Sequence, residues 1–301
     1  MSGADVWTIG RILKWTEQYF GAKGLESPRL DAEVLLSHVL SKERIYLYVH
    51  FDEPLEKEEL SAYRELIRKR AGRVPVAYLV GRREFMGLSF RVSPATLVPR
   101  PETELLVQAA LDGLKAVESP SGEEGPLLFA DIGTGSGAIA LSVLHFLPGT
   151  KALAVDISRE ALVLAKENAE ELGLAQRVEF LAGDLLEPLR GRGGHFSAIL
   201  SNPPYIPEGD IPELPPEVRE HEPMGALAGG ADGMEFYHRL CGEAPELLAE
   251  RGFMAFEVGI RQGEAVAKMA EAHPLIARTE ILKDLAGIRR VVVAWRGGGD
   301  S

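Results

Sequence analysis

The chain has 301 residues, 46% hydrophobic and 26% charged, with a formal net charge of -12. That is enough apolar material for a sizeable core, a length that suits two domains, and a composition unlike that of disordered or fibrous chains. The first eighty residues are neutral, so the acidic excess follows them, which argues against a protein that grips naked nucleic acid through a basic face.

The chain opens MSGADVWTIGRILKW, without the basic segment, apolar stretch and small-residue cleavage site of a secretion signal. No uncharged apolar run is long enough to span a bilayer. Cys241 is the only cysteine, so no intrachain disulfide forms and a reducing compartment fits. A cytoplasmic protein with no membrane association is expected.

Residues 1–80 read as a small helical bundle. Leu30, Val34, Leu35, Val39 and Leu40 recur at helical spacing, and Ser27-Pro28 supplies a cap followed by proline at the first helical position. From Leu55 to Arg70 the chain is charged and helix-favouring, with Leu60, Tyr63, Leu66 and Ile67 on one face. Residues 81–100 change character. Phe85, Leu88, Phe90 and Val92 around Gly87 predict a hairpin connector.

After a polar loop over 119–126 the pattern becomes strand, helix, strand. Leu127–Ile132, Ala152–Val155, Val178–Leu181, Ala198–Ser201 and Phe253–Val258 suit buried parallel strands, and Glu160–Leu172 suits a helix between two of them. Arg278–Leu282 and Arg290–Trp295 suit a terminal strand pair. Residues 101–301 therefore predict an α/β domain, a parallel sheet wrapped by helices.

The first chemical motif follows the first of these strands: Asp131-Ile-Gly133-Thr134-Gly135-Ser136-Gly137, opening the helix at Ala138. Glycines let the backbone turn sharply and approach a ligand closely. The spacing is neither the dinucleotide fingerprint nor the phosphate loop. Asp156 ends the next strand, where a carboxylate can accept from two ribose hydroxyls, and Gly183-Asp184-Leu185 follows the third. Asp184 could accept from an adenine amino group and Leu185 could lie against the ring. Helix capping is the plainer role for either acid, and one residue can do both.

The fourth strand runs into Asn202-Pro203-Pro204-Tyr205. In an open α/β sheet this is the ligand-binding edge. Prolines lack N–H donors, so their carbonyls can face a ligand; Asn202 offers a side-chain carbonyl and Tyr205 a flat stacking face. The set suits a conjugated NH2. An amide nitrogen is a poor nucleophile, but two acceptors, the Asn202 side chain and the Pro203 carbonyl, can hold both hydrogens and aim the lone pair at an electrophile. A rigid turn with no chemical role is the alternative. The histidines have no metal-ligand spacing.

With these motifs the sequence resembles the PrmC/HemK family, the protein-(glutamine-N5) methyltransferases of class I peptide chain release factors. The resemblance also covers GRREFMGLSFRVSPATLVPRPETELL, HEPMGALAGGADGMEFY, FEVGIRQGEAV and DLAGIRRVVV. It implies a class I, Rossmann-like methyltransferase fold with a seven-stranded, mostly parallel sheet. It further implies S-adenosyl-L-methionine as cofactor, S-adenosyl-L-homocysteine as product, and class I release factors as partners. Contacts to the cofactor would come from Gly133 to Gly137, Asp156, Asp184, Leu185 and Asn202. Asn202, Pro203, Pro204 and Tyr205 would hold the glutamine of a Gly-Gly-Gln motif, and Glu102 and Thr103 would lie near the methionine end of the cofactor. Residues 1–80 would dock the protein substrate. Met86, Val258-Gly259 and His221-Glu222-Pro223 depart from the usual family residues.

Three other readings share some of these features. A sister family methylates a glutamine on a ribosomal protein, but usually has Ser-Pro-Ile where this chain has Pro101-Glu102-Thr103. Methyltransferases of adenine N6 or guanine N2 also carry the Asn-Pro-Pro-Tyr motif; the acidic balance and lack of a basic aromatic insertion weigh against them. A cofactor-binding module without catalysis would not need Asn202 and Tyr205.

Overall fold

A computed structural model of the chain describes residues 6–117, 126–192 and 194–297. The polar loop expected over 119–126 lies, apart from Pro126, outside the described residues. The chain divides into two compact units, Met1–Arg82 with Pro215–His221, and Arg83–Leu214 with Glu222–Ser301.

The first unit holds α1 (Ile9–Ala22), α2 (Pro28–Leu40), α3 (Arg44–Val49), α4 (Lys57–Ala71) and α5 (Val76–Val80). Thr8 caps α1 with its hydroxyl, and Glu56 and Glu59 form a capping box on α4. Pro28 starts α2, but Ser27 makes no side-chain cap bond. The buried face of α2 keeps Leu35, Val39 and Leu40 of the expected apolar stripe but not Leu30, which is exposed, and it also takes in Leu36, Asp31 and Glu33. Ion pairs explain the difference, because a buried carboxylate needs a partner. Asp31 takes Arg70 at 2.7 Å; Glu33 takes Arg44 at 2.6 Å and Arg29 at 2.8 Å. Arg70 and Arg73 also reach Glu217, at 3.3 and 3.1 Å, in the segment that joins this unit from far along the chain.

The second unit begins with the hairpin β1 (Arg82–Phe85) and β2 (Leu88–Arg91), then α6 (Glu104–Ala116), β3 (Leu127–Ile132), α7 (Ala138–Phe146), β4 (Thr150–Asp156), α8 (Arg159–Glu171), β5 (Val178–Ala182) and β6 (Phe196–Ser201). After α9 (Pro216–Arg219), which belongs to the first unit, come α10 (Glu235–Leu247), β7 (Leu248–Glu257), α11 (Gly263–Glu271), β8 (Ile276–Lys283) and β9 (Arg289–Arg296). Phe85 and Phe90 bury the hairpin. Asn168 ties it down, accepting from Arg91 N at 2.7 Å while donating to the Arg91 carbonyl at 3.1 Å and the Ser136 carbonyl at 2.8 Å.

Seven strands form one sheet in the order β5-β4-β3-β6-β7-β9-β8. β9 runs antiparallel to β7 and β8; the other neighbours are parallel. This is the mostly parallel class I methyltransferase sheet. Helices cover two separate cores, one on each face. The strand order reverses between β3 and β6, so the crevice beyond their carboxyl ends is the topological switch point. Register decides what meets there. Ile132 pairs with Val155 and with Ser201, Ser201 pairs with Phe256, and Asp156 pairs with Ala182. Gly133, Asn202 and Glu257 thus each stand one residue past a matched row.

Candidate active site

The glycine-rich turn leaves β3 with the N–H groups of Gly133 and Thr134 both donating to the Val155 carbonyl at 2.9 Å. Gly135 has φ 56°, a left-handed conformation open to glycine at little cost, and its N–H donates to Asp156 Oδ2 at 2.8 Å. Asp156 Oδ1 accepts from Ser158 N at 2.9 Å. Burial raises the Asp156 pKa, and those backbone bonds oppose the shift. Asp131 lies beneath the turn, wholly buried. Its Oδ2 accepts from the Thr134 hydroxyl at 2.7 Å and from Ala140 N at 3.2 Å. Burial pushes its carboxyl up to about 7 against those two bonds.

A cavity of about 520 Å³ opens above the turn, within the range of small-molecule and cofactor sites. Gly133 to Ser136, Asp156, Asp184, Leu185, Asn202 and Pro204 line it. Gly137 instead caps α7, and Pro203 and Tyr205 are not among the lining residues. Leu185 enters the cavity from φ 47°, a strained conformation for a branched side chain. Ile157 also lines it while 74% exposed, an apolar surface that a flat heterocycle would cover. The second half of the connector, Pro94 to Leu97 with Pro99 and Arg100, forms another wall. Arg100 is held by Glu222 at 2.5 Å. Asp184 is not a free carboxylate: Arg239 reaches its two oxygens at 3.2 and 2.6 Å.

The Asn-Pro-Pro-Tyr turn is held by groups that sequence reasoning missed. Gln262 Nε2 donates to the Tyr205 carbonyl at 2.9 Å and to the Gly233 carbonyl at 3.0 Å, while its Oε1 accepts from Gly259 N at 2.9 Å. Gly233 lies so close that a Cβ there would sit 2.3 Å from the Tyr205 carbonyl oxygen. Asn202 Nδ2 donates to the Thr103 hydroxyl at 3.2 Å. The Tyr205 ring packs on the core, and its hydroxyl makes a long bond to Glu257 at 3.5 Å. Burial raises Tyr205 to about 12 and Glu257 to about 7. Glu257 and Gln262 lay together in a stretch quoted for the family resemblance, FEVGIRQGEAV, without a role. Gly233 lay in a stretch quoted for the family resemblance, without a role. Among the described residues no cluster of His, Cys, Asp or Glu could hold a metal ion, and no helix is long and apolar enough to cross a membrane.

A glycine turn, two strand-end acids and an Asn-Pro-Pro-Tyr turn around one crevice of this sheet define a class I methyltransferase. The family model of the PrmC N-terminal domain matches residues 11–81, and that of the methyltransferase small domain matches residues 122–212. A release factor glutamine methyltransferase of Rhodopirellula baltica is 45% identical over 95% of this chain and 95% of its own length. One from Geobacter sulfurreducens is 44% identical over 88% of this chain and 89% of its own. The crystal structure of a methyltransferase from Pyrococcus furiosus superposes with a TM-score of 0.50 at 19% identity, over 76% of this chain and 98% of that one, a likeness of fold. The chain belongs to the family of release factor glutamine methyltransferases.

Proposed function

We propose that the protein transfers a methyl group from S-adenosyl-L-methionine to the side-chain nitrogen of the glutamine in the Gly-Gly-Gln motif of class I release factors, leaving S-adenosyl-L-homocysteine. The observation that carries this reading is the juxtaposition of the glycine turn of β3 and the Asn202 turn of β6 around one cavity, on paired strands. The relatives' names supply the protein substrate.

The cavity fits a nucleoside with an amino-acid tail. Asp156 is placed to accept from ribose hydroxyls, and Ile157 and Leu185 to sandwich the base. Asp184, already paired with Arg239, keeps lone pairs for an amino group. Thr103 and Arg100 line the same cavity. When bound, the cofactor supplies an electrophilic methyl on sulfur. This chain's own task is to present the nucleophile. Asn202 Oδ1 and the Pro203 carbonyl accept the two hydrogens of the glutamine NH2, turn its lone pair toward the methyl, and stabilise positive charge growing on nitrogen. Pro204 stiffens the turn, and the Tyr205 ring, packed on the core, backs it. The first unit is assigned to docking the release factor, in the cytoplasm and without direct nucleic acid or membrane contact.

Labelled cofactor tests this when offered separately with a release factor, a ribosomal protein and nucleic acid. Label on the release factor, lost when its Gly-Gly-Gln glutamine is changed, is the expected result. Label on nucleic acid or the ribosomal protein alone contradicts it.

A further inference from the structure

Arg100 stands on the wall that the connector adds to the cavity. Among the described residues lining the cavity it is the sole cation, set against the acids Asp156, Glu160 and Asp184. Its Nη2 donates to Glu222 Oε1 at 2.5 Å. The Glu222 side chain is 1% exposed and that of Arg100 35%, and Glu222 is not a lining residue. The carboxylate therefore sits behind the guanidinium, away from the opening. Glu222 Oε2 has no hydrogen-bond partner among the described residues. Burying a carboxylate so incompletely satisfied costs free energy, and an apolar pair of similar volume would brace the wall at least as well. What this pair adds is a fixed guanidinium at the cavity, with further N–H groups left to donate.

Strand order gives the cavity a direction. Along the sheet edge Asp184 follows β5, Asp156 ends β4, the glycine turn follows β3 and Asn202 follows β6. The two acids mark the nucleoside end and Asn202 the methyl end. Arg100 goes with Asn202: the Arg100 carbonyl accepts from Thr103 N at 3.1 Å, and the Thr103 hydroxyl accepts from Asn202 Nδ2 at 3.2 Å. Beyond the sulfur, S-adenosyl-L-methionine carries an amino-acid tail whose carboxylate is its one anionic group. A planar guanidinium matches a carboxylate through two parallel N–H donors. We propose that Arg100, held from behind by Glu222, binds the carboxylate of the cofactor's amino-acid tail and so selects nucleosides that carry one. The proposal rests on the reading of the cavity as an S-adenosyl-L-methionine site.

The test is a cycle between side chain and ligand, read by isothermal calorimetry on the full chain. The ligands are S-adenosyl-L-methionine and its decarboxylated form, which keeps the nucleoside, the sulfonium and the amine. The proteins are the wild type, R100M and R100Q, the last of which retains an N–H donor for Glu222. The wild type should bind S-adenosyl-L-methionine roughly tenfold or more tighter than the decarboxylated compound. Both variants should lose most of that preference, while their affinity for the decarboxylated compound stays within about twofold of wild type. An undiminished preference in the variants, with both affinities falling together, overturns the carboxylate role and leaves Arg100 a brace for the wall. A wild type that binds the two ligands equally overturns it without any variant. A wild type that binds neither overturns the reading of the cavity itself.

Discussion

Ser201 and Ile132 face each other across β6 and β3, and the Ser201 hydroxyl donates to the Ile132 carbonyl at 2.7 Å. Both are buried completely. The bond locks two strand ends side by side, one leading into the glycine turn and the other into Asn202.

Ser201→Ala should therefore act on both stability and geometry. It removes one partner of a buried pair, which costs on the order of 1–3 kcal/mol. Denaturant unfolding should show that loss, and methyl transfer should fall more than cofactor affinity does.

Asp156→Ala should weaken the cofactor roughly tenfold or more, because the carboxylate both faces the cavity and holds the turn through Gly135 N and Ser158 N. Isothermal calorimetry reads this directly. Equal affinity in the variant removes Asp156 from the cofactor site.

Gly233→Ala should spare the cofactor and damage transfer. Its φ of 76° disfavours any side chain, and the added methyl would press on the Tyr205 carbonyl and on Gln262 Nε2, at 2.3 and 2.7 Å. A destabilisation of about 1–3 kcal/mol and a loss of turnover with near-normal cofactor binding are expected. Turnover equal to wild type would show that the Asn-Pro-Pro-Tyr turn does not depend on this support.

Asp131 gives a pH signature in the free protein. Its folded pKa, about 7, lies above the ordinary carboxylate value of 3.8 because the group is buried. The folded state then holds a proton that the unfolded chain has released, so this group's stabilisation is full below the unfolded pKa and is lost as pH rises toward about 7. Asp131→Asn keeps an acceptor for Thr134 and cannot titrate. Between those two pKa values its unfolding free energy should change with pH less steeply than the wild type's; parallel curves contradict the assignment.

Strands β3 and β5 were legible because short apolar runs, broken only by Asp131 and Glu179 and bounded by turn residues, leave little else for the chain to do. β7 was read only from Phe253, yet it begins at Leu248. Its first half carries Glu250, Arg251 and Gly252, with Arg251 at φ 62°, and this irregularity hides the strand from a periodic pattern. In α2, Leu35, Val39 and Leu40 of the expected stripe join the core but Leu30 does not, because hydrophobicity alone does not show that Asp31 and Glu33 have arginine partners elsewhere. In the site, turn residues adjacent in sequence carried their own signal. Glu257, Gln262 and Arg239 did not, because each matters only through a partner distant in the chain, Tyr205 for the first two and Asp184 for the third.

The central claim is that the turn at the end of β6 grips a carboxamide NH2 for methylation. Tandem mass spectrometry of a class I release factor after incubation with the protein and S-adenosyl-L-methionine tests it most directly. One added methyl is expected on the side-chain nitrogen of the Gly-Gly-Gln glutamine, absent with Asn202→Ala although that variant still binds cofactor. A methyl on any other residue, or undiminished methylation by Asn202→Ala, would contradict it.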